Sequence, residues 1–503
     1  MYTFSNKLRT TAIVLMILGL VGITYGFLST PKTIEDVEKI VAAGHHEGGH
    51  KAEATEHKPE LKDIPAPANH EAEEATHAEV AEHAVVTDTI HDSIKETAVV
   101  EEHAAHEVAK AEEHADDAEH VDEAAEHQKH LSHVLHQLQN KPWAALYVAC
   151  IFFLLITMGV LAFYGIQQVA QAGWSPVLFR VMQGITAFLP IISIIFFIFL
   201  IITGTHVFET NHLFAWMEKG ITDPLSPNYD KMIAGKSGYL NFTFWISRAA
   251  IFLFGWNLYR YLSRKNCLAQ DEANDNTYYK KNFKMSAGFL VFFIVSESIM
   301  SWDWIMSVDP HWFSTLFGWY VFASFFVSGI TVISLVTLYL KSKGYLEYVN
   351  TSHIHDLSKF MFGMSVFWTY LWFSQFMLIW YANIPEEVTY FVTRIEHYNL
   401  PFFGAVVLNF VLPILILINT DFKRITPIIV AAGIILLFGH YVDFFNMIMP
   451  ATVGDQWFIG ISEIASVLFF LGLFIFVVFS ALTKAPLLPK RNPFIEESKH
   501  FHY

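Results

Sequence analysis

Apolar residues fall in ten long runs along the chain, at about 10–29, 143–165, 178–204, 239–262, 285–307, 316–340, 360–382, 401–419, 427–449 and 457–480. A hydrocarbon layer of ~30 Å is crossed by about 20 apolar residues in a helix. Within lipid each span must satisfy its own backbone polar groups, so the pattern predicts an all-α polytopic membrane protein of ten transmembrane helices. One long polar stretch interrupts the series. The predicted organisation is a first transmembrane helix over 1–30, a flexible acidic His/Ala/Glu-rich insert over 31–142, a nine-helix membrane domain over 143–483 and a tail over 484–503.

Composition agrees with this class. Phe 46, Tyr 20 and Trp 13, with 16% charged residues, is a membrane composition rather than a globular one. The net charge of −16 is a local property, because Glu and Asp crowd the stretch between Glu35 and Glu126. With no basic surface to recruit it, a nucleic-acid partner is not expected. Eighteen Lys and Arg residues, from Lys7 and Arg9 to Lys499, fall on one side of the spans, against Lys219, Lys231, Lys236 and Arg394 in the short loops of the other. The positive-inside rule then places both termini in the cytoplasm and the insert in the periplasm of a bacterial inner membrane. Lys7 and Arg9 before the first run also fit a signal peptide, but the run is long for that role, so an uncleaved anchor is expected.

Sixteen of the 25 histidines lie in the insert between residues 44 and 136. Imidazoles three or four apart on a helix suit Zn²⁺ or Cu²⁺; the same composition also suits a solvated acidic arm with no apolar stripe to pack. Near Leu131, Val134, Leu135 and Leu138 an apolar face emerges and predicts a short amphipathic helix before Trp143. Cys150 and Cys267 are too few to hold an iron–sulfur cluster, and no C-x-x-C-H haem motif occurs, so no resident redox centre, covalent cofactor or metal is expected.

The informative residues are those that do not belong in lipid. Arg248, Glu297, Asp303, Gln375, His440, Asp443 and Glu463 interrupt otherwise apolar spans. An ionised side chain at mid-bilayer costs roughly 2.5–3.5 kcal/mol on insertion scales, so each needs a partner, a wet cavity or a task. Arg248 reads as a structural charge paired with Glu297 or Asp303. His440 and Asp443, three apart on one helical face, read either as a proton relay or as an interhelical hydrogen-bonded pair. Glu463 has no partner in its own helix, and Gln375 is either a ligand group or a bridge between helices. With the orientation above, these groups cluster in the outer half of the membrane.

Two stretches are the most specific in the chain: "SWDWIMSVDPHWFSTLFGWY" and "QFMLIWYANIPEE". In them the chain resembles the ActF-type family, quinone-binding subunit 2 of quinol:cytochrome c oxidoreductase (alternative complex III), related to the NrfD and polysulfide-reductase membrane anchors. The resemblance covers 143–500 and the first span; the His-rich insert departs from it. It implies two four-helix bundles, spans 2–5 and 6–9, flanked by helices 1 and 10. The implied partners are a sister NrfD-like membrane subunit, an iron–sulfur subunit, c-type haem subunits and a terminal oxidase; the implied ligand is menaquinone or menaquinol.

Four readings compete. The favoured one is a respiratory-complex subunit whose Glu297, Asp303, His440, Asp443 and Glu463 form a periplasmic-side proton path. A second adds a quinol site built from Asp303, Trp304, His311 and Gln375, aromatic rings gripping the head group. A third is a structural scaffold whose buried charges glue helices at an average of only ~0.6 kcal/mol per contact. A secondary transporter with broken helices at Pro190 and Pro413 is the last.

Overall fold

The computed structural model describes the backbone of residues 2–47 and 104–502, and the side chains of 2–40 and 126–502. The metal-capture reading of the insert lies largely outside the described residues. Contacts divide the chain into a unit of Met1–Ile34 with His133–Tyr503 and a second unit of Glu35–Ser132.

In order, the helices are α1 (Asn6–Leu28), α2 (Ile34–Glu47), α3 (Ala104–Val169), α4 (Phe179–Ile185), α5 (Leu189–Gly204), α6 (Lys231–Gly235), α7 (Phe242–Gln270) and α8 (Thr277–Trp304). They continue with α9 (Phe317–Ser342), α10 (Thr351–Ala382), α11 (Pro385–Glu396), α12 (Asn399–Val406), α13 (Leu412–Leu417), α14 (Thr426–Val453), α15 (Ile461–Leu482) and α16 (Ile495–Lys499). The protein is an all-α polytopic membrane protein, with no strand among the described residues.

Two expectations are corrected in detail. Among the described residues nine helices, not ten, are long and apolar enough to cross a membrane. The predicted fourth span forms the 29-residue α7, but Arg248 and Asn257 within its apolar half dilute its hydropathy. No separate amphipathic helix precedes Trp143: α3 runs unbroken for 66 residues through Pro142, as the high helix propensity of its Ala- and Glu-rich start allows. The third and eighth spans are not regular. A 3₁₀ turn at Thr186–Phe188 divides α4 from α5, and a π-turn at Val407–Val411 divides α12 from α13. Pro190 and Pro413, each in the first turn of the helix after the break, have no N–H for a preceding carbonyl.

Two helices make the centre. In α3 and α9, 94% and 89% of the apolar window is buried, against 17% in α1. They meet at glycines. A Cβ on Gly329 would lie 2.8 Å from the Gly159 carbonyl carbon and the Val160 nitrogen, and one on Gly159 would lie 2.5 Å from the Phe325 carbonyl oxygen. Around α3 gather α5 and α8: Tyr147 stacks on Phe196 and Phe199 and donates from its hydroxyl to the Trp304 carbonyl at 2.6 Å. With α7 packed on α5 and α8, these form the first bundle; α9, α10, α12–α13 and α14 form the second.

Outside both bundles α1 pairs with α15. Gly19, Gly22 and Gly26 press on Phe469, Ala465 and Ser462, the small-residue contact by which membrane helices approach closely without a hydrophobic drive.

The α3–α9 contact is backbone against backbone, so it has no flexible side chain to yield. Gly329→Val should destabilise the folded protein by about 1–3 kcal/mol through overpacking, read as a lowered unfolding midpoint in detergent. A midpoint equal to that of the native chain would mean the two helices do not meet there.

Candidate functional site

The second bundle holds its polar groups on facing helices. His440 and Asp443 lie three apart on α14, with 0% and 1% of their surface exposed. From α9, Tyr320 and Ser324, four apart and hence on one face, reach the same carboxylate. The Tyr320 hydroxyl donates to Oδ1, while Ser324 Oγ at 2.8 Å and Trp368 Nε1 of α10 at 2.9 Å donate to Oδ2. The carboxylate therefore has three neutral donors, and among the described residues no Lys or Arg forms an ion pair with it; the His440 ring is 3.9 Å away.

His440 connects to Asp443 through the hydroxyl between them. Ser324 Oγ stands 2.9 Å from His440 Nδ1. A hydroxyl has one proton and two lone pairs. When Ser324 donates to Asp443 it accepts from Nδ1–H, and when it turns it donates to Nδ1. The atoms thus form a Tyr320–Asp443–Ser324–His440 line along which a hydroxyl rotation relocates a proton. The Trp368 ring meets His440 edge-on with centroids 5.5 Å apart and fixes the imidazole plane.

The His440 end of the line is open. Nε2 is buried with no hydrogen-bond partner among the described residues, as are Asn409 Oδ1 and Nδ2, Ser365 Oγ and Gln375 Nε2. Asn409 lies in the π-turn and packs directly on Gly439, the residue before His440. A π-turn turns one residue of a helix out of register, and such turns are frequent at functional sites.

The other predicted residues stand apart from this line. Asp303, fully buried, is clamped by Arg248 through Nε–Oδ2 at 2.6 Å and Nη2–Oδ1 at 2.8 Å. Arg248 is further held by the Tyr239 carbonyl and lies between the Tyr239 and Phe244 rings, 4.1 and 4.2 Å from their centroids. Glu297, nearly two turns away on α8, takes only the Ser298 hydroxyl at 3.2 Å, and its Oε1 is unpartnered. Glu463 caps α15 by accepting the Gly460 N–H at 2.8 Å, again with Oε1 unpartnered. The five predicted carriers do not make one hydrogen-bonded chain.

Nor do the four predicted quinol residues converge. Trp304 is wholly buried between Phe196 and Trp256 in the first bundle, Gln375 belongs to α10 of the second, and His311 sits 2.6 Å from Asp230 with half of its side chain exposed. His311 and Asp230 pin the short α6 loop instead. The Ile233 amide and the His311 ring beside it hold the Asp230 carboxyl below the usual range.

Two groups escaped the sequence reading. Arg394 of α11, counted there only as a loop charge, is buried and donates from Nε to the Asn446 carbonyl at 3.0 Å. Pro450 explains the need: lacking an N–H, it leaves the carbonyl four residues earlier without its helical partner. At the opposite end of the first bundle, Gln168, Gln183, Ser263 and Asn282 all point at the Tyr164 hydroxyl, within 3.1–3.2 Å. The visible signal was Gln167–Gln168 just past the end of one apolar run and Gln183 inside the next.

In comparisons with known proteins, no family model matches the chain, and no curated protein matches it in sequence.

The Arg248–Asp303 clamp is a buried ion pair whose partners depend on each other. Arg248→Met and Asp303→Leu singly should each cost about 3–5 kcal/mol, because each leaves an uncompensated buried charge, and the double variant should recover much of that loss. Thermal unfolding of the four proteins in one detergent measures this. Additive losses in the double variant would dissolve the pair as a unit.

Proposed function

We propose that this chain is the membrane subunit of a respiratory quinol:electron-acceptor oxidoreductase of the alternative complex III type, contributing a proton path on the periplasmic side and no redox centre of its own. The observation that carries the reading is the Tyr320–Asp443–Ser324–His440 line, a buried carboxylate joined to an imidazole through a rotatable hydroxyl and free at the His440 end. Buried acid and imidazole chains of this kind are how protons cross low-dielectric regions. The two motif stretches supply the family side: the first runs from Ser301 to Tyr320 and so holds both Asp303 and the Tyr320 that bonds Asp443, and the second begins at Gln375. In this reading the carriers are Asp443 and His440. Glu297 and Glu463 are separate carboxyl stations with one free oxygen each, and Asp303 serves the Arg248 clamp.

The electrons travel elsewhere in this account, through a sister NrfD-like subunit, an iron–sulfur subunit and c-type haem subunits, with a terminal oxidase downstream. The two cysteines, both free and buried on different helices, are fewer than the ligand set an iron–sulfur cluster takes.

A second reading, a scaffold for those subunits, has its own support in Arg248–Asp303 and in Arg394 on the α14 carbonyls, both of which are mechanical cross-links.

The readings separate in the intact complex. Asp443→Asn and Ser324→Ala should lower menaquinol-driven proton release on the order of a hundredfold, the scale of a lost proton-transfer group, with assembly unchanged. Ser324→Thr, which restores the hydroxyl, should recover it. Native rates of proton release and turnover in both deficient variants, at native assembly, would leave the scaffold.

A further inference from the structure

A groove of about 540 Å³ runs along the surface between α5 and α7. Its walls are apolar, with Ile194 and Ile198 four apart on one face of α5 and Ala250 and Phe254 four apart on α7. Ile194 and Phe254 are 62% and 68% exposed, on a surface that faces lipid in a membrane protein.

One end of the groove is cationic. Arg260 lines it beside Tyr261, half-buried, with Nε shielded from solvent and without a hydrogen-bond partner. The charge acting on Arg260 is the like charge of Arg264, four residues on and on the same helical face. Among the described residues no acid balances either guanidinium. Helix α7 contains no Asp or Glu, and the first acid beyond it, Asp271, is bonded to Arg180 at 2.5 Å. Asn257, which donates to Ser193 Oγ at 2.9 Å, is neutral and offers no counter-charge. Lys265, Lys280, Lys281 and Lys284 add to the basic character of this end of α7 and the start of α8.

Two half-buried guanidinium groups one turn apart, without an acid, call for an anion. The planar fork of a guanidinium matches a phosphate through two parallel hydrogen bonds. A free phosphate uses the fork and none of the apolar wall. A zwitterionic head brings an ammonium to a place that has two cations and no carboxylate to receive it. A lipid phosphate with no cation of its own uses both the fork and the groove, and basic pockets between transmembrane helices take such heads.

We propose that this groove holds an anionic phospholipid of the leaflet on the Lys- and Arg-rich side, its phosphate on Arg260 and Arg264 and one acyl chain between α5 and α7 toward Ile198. The inference goes beyond the proton-path reading and does not rest on it. The seated chain packs on α7, the helix that presents Arg248 to Asp303.

The test is native mass spectrometry of the purified, delipidated full chain in detergent, titrated with phosphatidylglycerol or phosphatidylethanolamine. The native chain should bind a first phosphatidylglycerol about tenfold more tightly than phosphatidylethanolamine. The Arg260→Gln, Arg264→Gln double variant should lose that preference. Ala250→Trp, which fills the groove and leaves both arginines in place, should bind phosphatidylglycerol about tenfold more weakly than the native chain. Lys265→Gln, which removes an exposed charge at the same end, and Leu415→Trp, on the lipid-facing side of α13, should match the native chain. Equal binding of the two lipids by the native chain, native binding in Ala250→Trp, an equal loss in Lys265→Gln and the double variant, or displacement of the lipid by inorganic phosphate alone overturns the proposal. Lipid binding is read without turnover, so a failure of proton release in the intact complex is a separate result.

Discussion

The contact of α3 with α9 at Gly159 and Gly329 is the constraint on which the rest of the membrane domain depends. With no side chain on either residue the two backbones touch, and each helix becomes the inner wall of its own bundle. That placement turns Tyr147 toward the end of α8 and Tyr320 toward α14. The two helices share the pattern Tyr-Val-x-x-x-Phe-Phe, Tyr147–Phe153 in one and Tyr320–Phe326 in the other. The halves are thus built around matching tyrosines whose hydroxyls bond at or beside an aspartate.

The chemistry of the halves diverges at the positions around that aspartate. Where α9 has Ser324, α3 has Ile151; where α14 has His440 three residues before Asp443, α8 has Met300 three residues before Asp303. With Ile151 and Met300 at the matching positions, the Asp303 charge is balanced by a cation, and Arg248 supplies it in bidentate geometry that fixes two helices. Asp443 is held by neutral donors. A bidentate guanidinium leaves a carboxylate no freedom to exchange partners, whereas a hydroxyl that is both donor and acceptor does.

Much of the fold could be read in the residues, because the bilayer imposes a single length and a single hydrogen-bonding rule on every span. The run containing Arg248 shows the limit: its helix forms, yet too many polar residues share it for composition alone to mark it as a span. Pairing was less legible. That Arg248 chooses Asp303 rather than Glu297 depends on α7 and α8 register, and that Ser324 bridges His440 and Asp443 depends on a helix over a hundred residues away. Arg394 looked like a loop charge because the carbonyl it satisfies is exposed by Pro450, a proline that sequence inspection places only near a helix end. Burial of Trp304 and exposure of His311, ten residues or fewer apart in one aromatic stretch, likewise follow from where α8 ends.

In the proposed reading the polar interior of the second bundle is more than an interhelical fastening. A fastening is finished when every buried group has a partner, as Arg248 and Asp303 nearly achieve and as Arg394 achieves for the backbone carbonyl of Asn446. The Asp443 line has saturated bonds at the carboxylate and open ones beyond the imidazole, at His440 Nε2 and both Asn409 side-chain atoms. Those open groups coincide with the π-turn of the eighth span, a backbone distortion that would be costly to maintain without use. In the proposed reading the site trades partners during work, with Ser324 as its pivot, rather than merely holding helices together.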